Sequence, residues 1–75
     1  MQASATRSRV AVNSSSVKSV GYDEALSTLD IEFSSGALYR YFAVPAAVHL
    51  ALMSADSVGG FVSRRIRNGY PFARL

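Results

Sequence analysis

The sequence predicts an α+β domain, in which a three-stranded antiparallel meander is followed by two short helices packed on one of its faces. In the first half of the 75-residue chain, apolar and polar residues alternate, which is typical of strands with one dry face. In the second half, apolar residues recur at spacings of three and four, which is typical of amphipathic helices. The length allows one domain with a limited core.

Composition restricts the class of protein. The chain is 49% hydrophobic and 17% charged, which indicates a globular domain rather than a disordered one. It has no cysteine, so it contains neither disulfides nor thiolate metal sites. The start is too polar for a signal peptide, and no apolar run is long enough for a transmembrane helix. We therefore expect a soluble cytoplasmic protein, with residues 1–11 as a flexible leader and residues 12–75 as the domain.

Two strands are predicted from alternation. The segment VKSVGYD places Val20 and Tyr22 on one face and ends at a turn-forming aspartate. The segment TLDIEF is a clearer case, because its three apolar residues alternate with threonine and two acidic residues. Each strand is therefore expected to have one buried face.

A hairpin connects the second strand to the third, and its loop length determines the register. With Ser34–Gly36 as a three-residue loop, the glycine takes the left-handed conformation that closes such a turn. Tyr39 and Tyr41 then share the apolar face, and Arg40 lies opposite Asp30. A two-residue loop would shift the register by one and turn Arg40 to the apolar side, which is far more costly. The expected pairs are Phe33 with Ala37, Ile31 with Tyr39, and Leu29 with Tyr41.

The first helix is predicted to begin at Pro45, a residue well suited to the first helical position. The predicted apolar face of this helix repeats at i, i+3, i+4 and i+7, and consists of Val48, Ala51, Leu52 and Ala55.

Ser57 is predicted to cap a second helix that stops at Gly69. Gly59 and Gly60 weaken a helix, and such a pair near a helix start often marks a close approach of another element or a ligand. The predicted inner face of this helix consists of Val58, Phe61, Val62 and Ile66. The tail after it is expected to be extended around Pro71.

Three motifs, SSSVKSVGYD, LDIEFSSGALYRYFAVP and SADSVGGFVSRRIRNGY, follow one another in an order and spacing that resemble the KTSC domain. This family is a short bacterial and phage module that also occurs at the C-terminus of some lysyl-tRNA synthetases. The resemblance extends from about Val12 to Leu75, and Tyr39, Tyr41 and Tyr70 are the tyrosines that fall in its motifs. It implies a small binding module, and the attachment to a tRNA enzyme implies RNA as a ligand.

Basic residues are concentrated in the second half of the chain. Residues 38–75 carry a net charge of +4, and all their cations are arginines, whose planar fork suits phosphates and aromatic faces. Arg64 and Arg67 share a helix face with Arg65 beside it, which predicts a phosphate-binding patch. The alternative is that these cations only stabilise a helix C-terminus and keep the surface soluble. Arg40 and Arg74 are expected to join the patch if the fold gathers them nearby.

The YRY segment has two interpretations. Its tyrosines either stack on bases or belong to a core strand with hydroxyls at the rim, and the hairpin register favours the core.

No catalytic constellation is visible in the sequence. His49 has no partner at helical spacing, so we interpret it as an ordinary histidine of a helix surface. The chain has no nucleophile elbow, phosphate loop or paired carboxylates. We therefore predict no enzyme activity, no cofactor, no metal and no small-molecule substrate.

The leading interpretation is a non-enzymatic module that binds nucleic acid, above all RNA, through the arginine patch. The alternative is a protein-interaction or self-association domain without a nucleic-acid role. Assembly into a homodimer is a further alternative, because the first and third strands are both candidates for an unpaired sheet edge.

Overall fold

The computed structural model describes residues 9–75, so residues 1–8 of the predicted leader lie outside it. We call α2 (Val58–Phe61) and the π-helical turn that continues it (Val62–Ile66) the second helix. Within residues 9–75, no helix is long and apolar enough to cross a lipid bilayer. The elements in chain order are β1 (Val10–Ala11), β2 (Val17–Asp23), β3 (Thr28–Phe33), β4 (Leu38–Tyr41), α1 (Ala46–Met53), α2 (Val58–Phe61), the π-helical turn (Val62–Ile66) and β5 (Phe72–Arg74).

The described residues form an α+β fold whose sheet has five antiparallel strands in the order β1-β2-β3-β4-β5. The prediction of three strands is therefore wrong in number. The predicted strands are β2, β3 and β4, and the two additional ones flank them. With two and three residues, β1 and β5 are too short to show an alternating pattern. Both edges that were expected to be open are covered, because β1 pairs with β2 and β5 pairs with β4.

The hairpin between β3 and β4 has the predicted register. Phe33 donates its backbone N–H to Ala37 O at 2.9 Å, and Gly36 donates to Phe33 O at 2.9 Å. Gly36 has φ of 96°, in the left-handed region that favours glycine. The pairs of Ile31 with Tyr39, Leu29 with Tyr41, and Asp30 with Arg40 are all confirmed.

The core lies between one face of the sheet and the helices. Strand residues such as Leu29 and Ile31 are fully buried there, together with Leu52 of α1 and Ile66 of the second helix. The opposite face of the sheet, which we call the outer face, carries the intervening polar residues. The buried apolar cluster consists of Val17, Val20, Leu29, Ile31, Tyr41, Val44, Leu52, Val58, Val62 and Ile66.

The connection from β4 to α1 contains a residue in the left-handed region. Ala43 has φ of 59°, which is unfavourable for a residue with a Cβ. The backbone on either side of it is held in place, because Val44 N donates to Ser27 O and Phe42 N donates to Pro71 O, both at 2.9 Å. The surrounding hydrogen bonds therefore fix a conformation that alanine does not prefer.

Helix α1 begins one residue later than predicted. Pro45 is its N-cap residue, in an extended conformation, and Val48 N donates to Pro45 O at 3.0 Å. Of the predicted apolar face, Leu52 is fully buried and Val48 is partly buried, whereas Ala51 is exposed. Fewer residues of this short helix are therefore buried than its apolar spacing predicts.

The second helix begins as predicted. The Ser57 hydroxyl accepts a hydrogen bond from Gly60 N at 3.0 Å, which is an N-cap interaction. Its inner residues Val62 and Ile66 are almost completely buried. The π-helical turn was not predicted: Arg67 N donates to Val62 O at 2.9 Å, five residues back.

Gly59 marks a close approach between the second helix and the segment before β2. A Cβ at this position would collide with Ser16 Oγ and lie 3.2 Å from Ser14 Oγ. The glycine pair was expected to mark the close approach of either another element or a ligand, and at Gly59 the structure shows another element. A larger residue at this position would require the Ser16 hydroxyl to move aside.

Candidate nucleic-acid interface

The predicted arginine patch lies on the exposed side of the second helix. Arg64, Arg65 and Arg67 are all exposed. The Arg65 guanidinium carbon lies 5.5 Å from the centre of the Phe61 ring, in the range of a cation–π interaction. A Cβ on Gly60 would lie 2.9 Å from Arg64 Nη1, so the glycine leaves room for that guanidinium. Arg64 and Arg65 thus lie within the second helix, and Arg67 follows directly as its C-cap residue.

Arg67 differs from the other two because it borders an open cleft of about 580 Å³ between the second helix and strands β3 to β5. The cleft has an aromatic wall on the sheet and a polar wall at the end of the helix, with serine residues of nearby loops at one side. We call it the aromatic cleft, and its principal lining residues are Phe33, Tyr39, Tyr41, Arg67, Asn68 and Phe72.

The aromatic wall is a continuous group of rings. The Phe72 ring centre lies 5.5 Å from that of Tyr39 and 5.6 Å from that of Tyr41. Phe33 meets Tyr39 edge to face at 5.7 Å. These distances and angles are those of favourable aromatic pairs, so each ring holds its neighbour in position. Phe72 remains 54% exposed, which is unusual for a phenylalanine within an aromatic cluster.

The two tyrosines of the YRY segment have unequal exposure. Tyr41 is 2% exposed and belongs to the core, whereas Tyr39 is partly buried at its margin. Burial raises the pKa of Tyr41, and the nearby positive charge of Arg67 opposes this shift. Tyr70, the third tyrosine of the family motifs, is also partly buried against the core. The structure therefore shows a core strand with one partly exposed ring rather than two exposed platforms.

Arg74 lies near the aromatic cleft. It pairs with Tyr39 across β4 and β5, so both side chains leave the sheet on the same face. It is also exposed. The fold therefore brings Arg74 to the face of the sheet that carries the aromatic wall.

Arg40 does not join the patch. It lies between Tyr39 and Tyr41 on β4, so its side chain points to the outer face, away from the second helix. Its Nε and Nη2 atoms donate to the two carboxylate oxygens of Asp30 at 2.8 and 2.9 Å. These hydrogen bonds raise the pKa of Arg40 above its ordinary value. The expectation that Arg40 shares a surface with the helix arginines is thus corrected, because strand alternation separates them.

His49 is more than an ordinary surface residue. Its ring is partly buried and stacks on Tyr22, with centroids 4.6 Å apart and planes within 9°. Tyr22 in turn donates its hydroxyl to Val44 O at 2.6 Å. Burial lowers the pKa of His49 below its ordinary value of 6.5. Among residues 9–75 there is no group of three or more histidine, aspartate or glutamate residues that could hold a metal ion.

Three residues of the aromatic cleft were not identified from the sequence. Phe33 was interpreted only as a core residue, Asn68 as part of a helix stop, and Phe72 as part of an extended tail. The predicted hairpin register had already put Phe33 on the same face as Tyr39. No local pattern could have placed Asn68 and Phe72 there, since they come from elements that are distant in the sequence.

The comparison with known families supports the resemblance seen in the sequence. The model of the KTSC domain family matches residues 13–70, which is most of the chain. An uncharacterized protein of Stutzerimonas stutzeri is 61% identical over 51 residues, covering 68% of this chain and 72% of that protein.

Two further similarities extend this result. A lysine–tRNA ligase of Nostoc punctiforme is 38% identical over 59 residues, which cover 79% of this chain but 10% of the ligase. The crystal structure of a KTSC domain protein from Yersinia pestis superimposes with a TM-score of 0.90 at 33% identity. That alignment covers 93% of this chain and 99% of the Yersinia chain. The similarity to the ligase is thus confined to a small part of a much larger protein.

Proposed function

The chain belongs to the KTSC domain family, and from this premise we propose that it is a small non-enzymatic module that binds single-stranded RNA. The observation that carries the proposal is the position of Arg67. This exposed cation borders a cleft whose opposite wall is made of aromatic rings. Cations beside stacking surfaces are what proteins use to hold single-stranded nucleic acid, because the phosphates and the bases are both contacted.

The distribution of charge supports this proposal. The ion pairs among the described residues engage Arg9 with Glu32 and Arg40 with Asp30. Among residues 9–75, the arginines outside these two pairs lie on the second helix, directly after it and on β5, where their charge is available to a ligand. The phosphate-contacting residues that we propose are Arg64, Arg65, Arg67 and Arg74.

The ligase relatives add support of a different kind. In a lysine–tRNA ligase of Nostoc punctiforme, a segment similar to this chain is part of a protein whose named substrate is a tRNA. A module that accompanies such an enzyme is suited to contact RNA. This support is by association, so the argument from the arginines and the cleft stands beside it.

The experiment is a titration of a labelled single-stranded RNA of about ten nucleotides at several salt concentrations, followed by fluorescence anisotropy. Each phosphate contact that is lost reduces the slope of log K against log salt concentration by about 0.7. We therefore expect the triple variant Arg64→Gln, Arg65→Gln, Arg67→Gln to bind more weakly, with a slope lower by about 2.

The control for this experiment is Lys18→Gln, which removes one positive charge from an exposed position of β2. It should leave the slope close to that of the parent protein, whereas each single arginine variant should lower it. Circular dichroism will show whether the variants are folded. If the folded triple variant retains the parent slope, the second helix is not the RNA-binding surface.

A second candidate function is protein interaction or self-association without RNA. One observation favours it: Leu50 and Met53 lie one turn apart on α1 and are 65% and 37% exposed. An apolar contact of this kind changes little with salt, whereas RNA binding weakens steeply. Light scattering over a range of concentrations tests it, because a constant monomer mass would rule out self-association over that range.

A further inference from the structure

We propose that the aromatic cleft is a subsite for one unpaired nucleobase, stacked against Phe72 and Tyr39. This inference rests on the proposed RNA-binding function and assigns a specific role to a part of the surface that the arginines alone do not explain. Phosphate contacts hold a strand in place, but a base requires a flat apolar surface with polar groups at its edge.

The stacking surface is available without a change in the fold. Phe72 is 54% exposed although it contacts two tyrosine rings, and β5 holds its backbone in place. Tyr39, its neighbour at 5.5 Å, is also partly exposed. Rings already ordered by their neighbours lose little conformational entropy when a base stacks on them.

The rim of the cleft supplies hydrogen-bonding groups. The Asn68 amide offers both a donor and an acceptor, and Ser34 and Ser35 offer hydroxyls. A base edge presents donors and acceptors in the same plane as its ring, so it needs both kinds of partner. The Ser34 hydroxyl donates to Ser15 O and can still accept, and the Ser35 hydroxyl accepts from Ala37 N and can still donate. Together with the Asn68 amide, these groups offer a base edge both kinds of partner, and this mixture favours a nucleobase over a purely apolar ligand.

Size and charge agree with this assignment. The volume of about 580 Å³ lies within the range of about 300 to 1,000 Å³ that is typical of small-ligand sites. Arg67 lies at the border of the cleft, where it can contact the phosphate of a nucleotide whose base is inside. The cleft is therefore suited to one nucleotide of a strand, and the remaining nucleotides would continue along the arginines of the second helix.

The test compares the single-stranded RNA with an abasic ribose-phosphate chain of the same length and charge. Stacking of one base is worth about 1 to 3 kcal/mol, so the parent protein should prefer the RNA by about 5-fold to 150-fold. Phe72→Ala should remove most of this preference while leaving the salt slope unchanged. Arg67→Gln should lower the salt slope and retain the preference.

Two further variants guard against loss of structure. Phe72→Trp keeps a stacking surface and should retain the preference, whereas Phe72→Leu keeps apolar bulk without an aromatic face and should lose it. Leu50→Ala is the matched control, because it truncates an exposed apolar residue that lies on α1 and outside the cleft. Thermal melts identify any variant that has unfolded.

Each outcome separates this inference from the function on which it rests. If the RNA and the abasic chain bind equally and with a steep salt dependence, RNA binding stands and the base subsite is overturned. If neither chain binds but adenosine monophosphate shifts the NMR signals of Phe72 and Tyr39, the subsite stands and RNA binding is overturned. If neither the chains nor the mononucleotide bind, both proposals are wrong.

Discussion

Arg40 and Asp30 face each other across neighbouring strands and are joined by two parallel hydrogen bonds of 2.8 and 2.9 Å. Asp30 is only 5% exposed, although it lies on the outer face of the sheet, away from the helices. A bidentate pair of this kind fixes the orientation of both side chains. The arginine of the YRY segment is therefore engaged in holding the sheet together.

We expect Arg40→Leu to lower the free energy of unfolding by about 3 kcal/mol, because it removes the two charge-assisted hydrogen bonds that Arg40 donates to a buried carboxylate. The double variant Asp30→Val, Arg40→Leu should recover most of this loss, since it removes the buried carboxylate together with the arginine. Urea denaturation measures both values. A double variant as unstable as Arg40→Leu would show that the pair has a different role.

Tyr41 is the tyrosine whose ring supports the core. Since it is 2% exposed, Tyr41→Ala should lower the free energy of unfolding by about 3 to 5 kcal/mol. Tyr41→Phe keeps the ring and should change it by at most about 1 kcal/mol. Tyr39→Ala should have a smaller effect than Tyr41→Ala, because its ring is only partly buried. Thermal melts test this order, and a Tyr41→Ala variant that melts like the parent would contradict it.

Ala43 offers a stabilising substitution. Its φ of 59° is unfavourable for alanine but not for glycine, so Ala43→Gly should raise the free energy of unfolding by up to about 1 kcal/mol. The matched control is Ala51→Gly at an exposed position of α1, which should lower it by about 1 kcal/mol. Differential scanning calorimetry compares the two. Changes of the same sign would mean that the backbone at Ala43 is not strained.

His49 should make stability depend on pH. Because its pKa in the folded protein is lowered by burial, the unfolded chain takes up a proton first as the pH falls. The contribution of neutral His49 to the free energy of unfolding is therefore complete above about pH 6.5. It is lost as the pH falls from there through the lowered pKa of the folded protein. His49→Gln should weaken the pH dependence below about pH 6.5. Chemical denaturation at several pH values measures this, and an identical slope in the variant would contradict it.

The parts of the fold that were predicted from sequence depend on local chemistry. Gly36 determined a turn and therefore the register of Tyr39 and Tyr41, because shifting a strand by one residue moves its side chains to the opposite face. Ser57 identified a helix start, because few residue types satisfy the free N–H groups there. These signals act over a few residues, which is why the sequence alone contains them.

The parts that were missed depend on distant residues. Strand β5 is stabilised by its pairing with β4, and its three residues alone do not indicate that partner. The π-helical turn depends on how Val62 and Ile66 fit the core, although the sequence pattern is that of an ordinary α-helix. Arg67 was named as a patch residue, but its place beside Phe72 follows only from the packing of the second helix on the sheet.

The pairing of Tyr41 with Phe72 also has a consequence for the order of folding. Strands β1 to β4 pair with their immediate neighbours along the chain, so their contacts close short loops. The last pairing must instead close a loop that contains both helices, and longer closures cost more entropy and slow the search. We therefore expect the meander of β1 to β4 to form early and the stacking surface around Phe72 to be completed last. A refolding chain would accordingly form these four strands before the cleft beside Phe72 is complete.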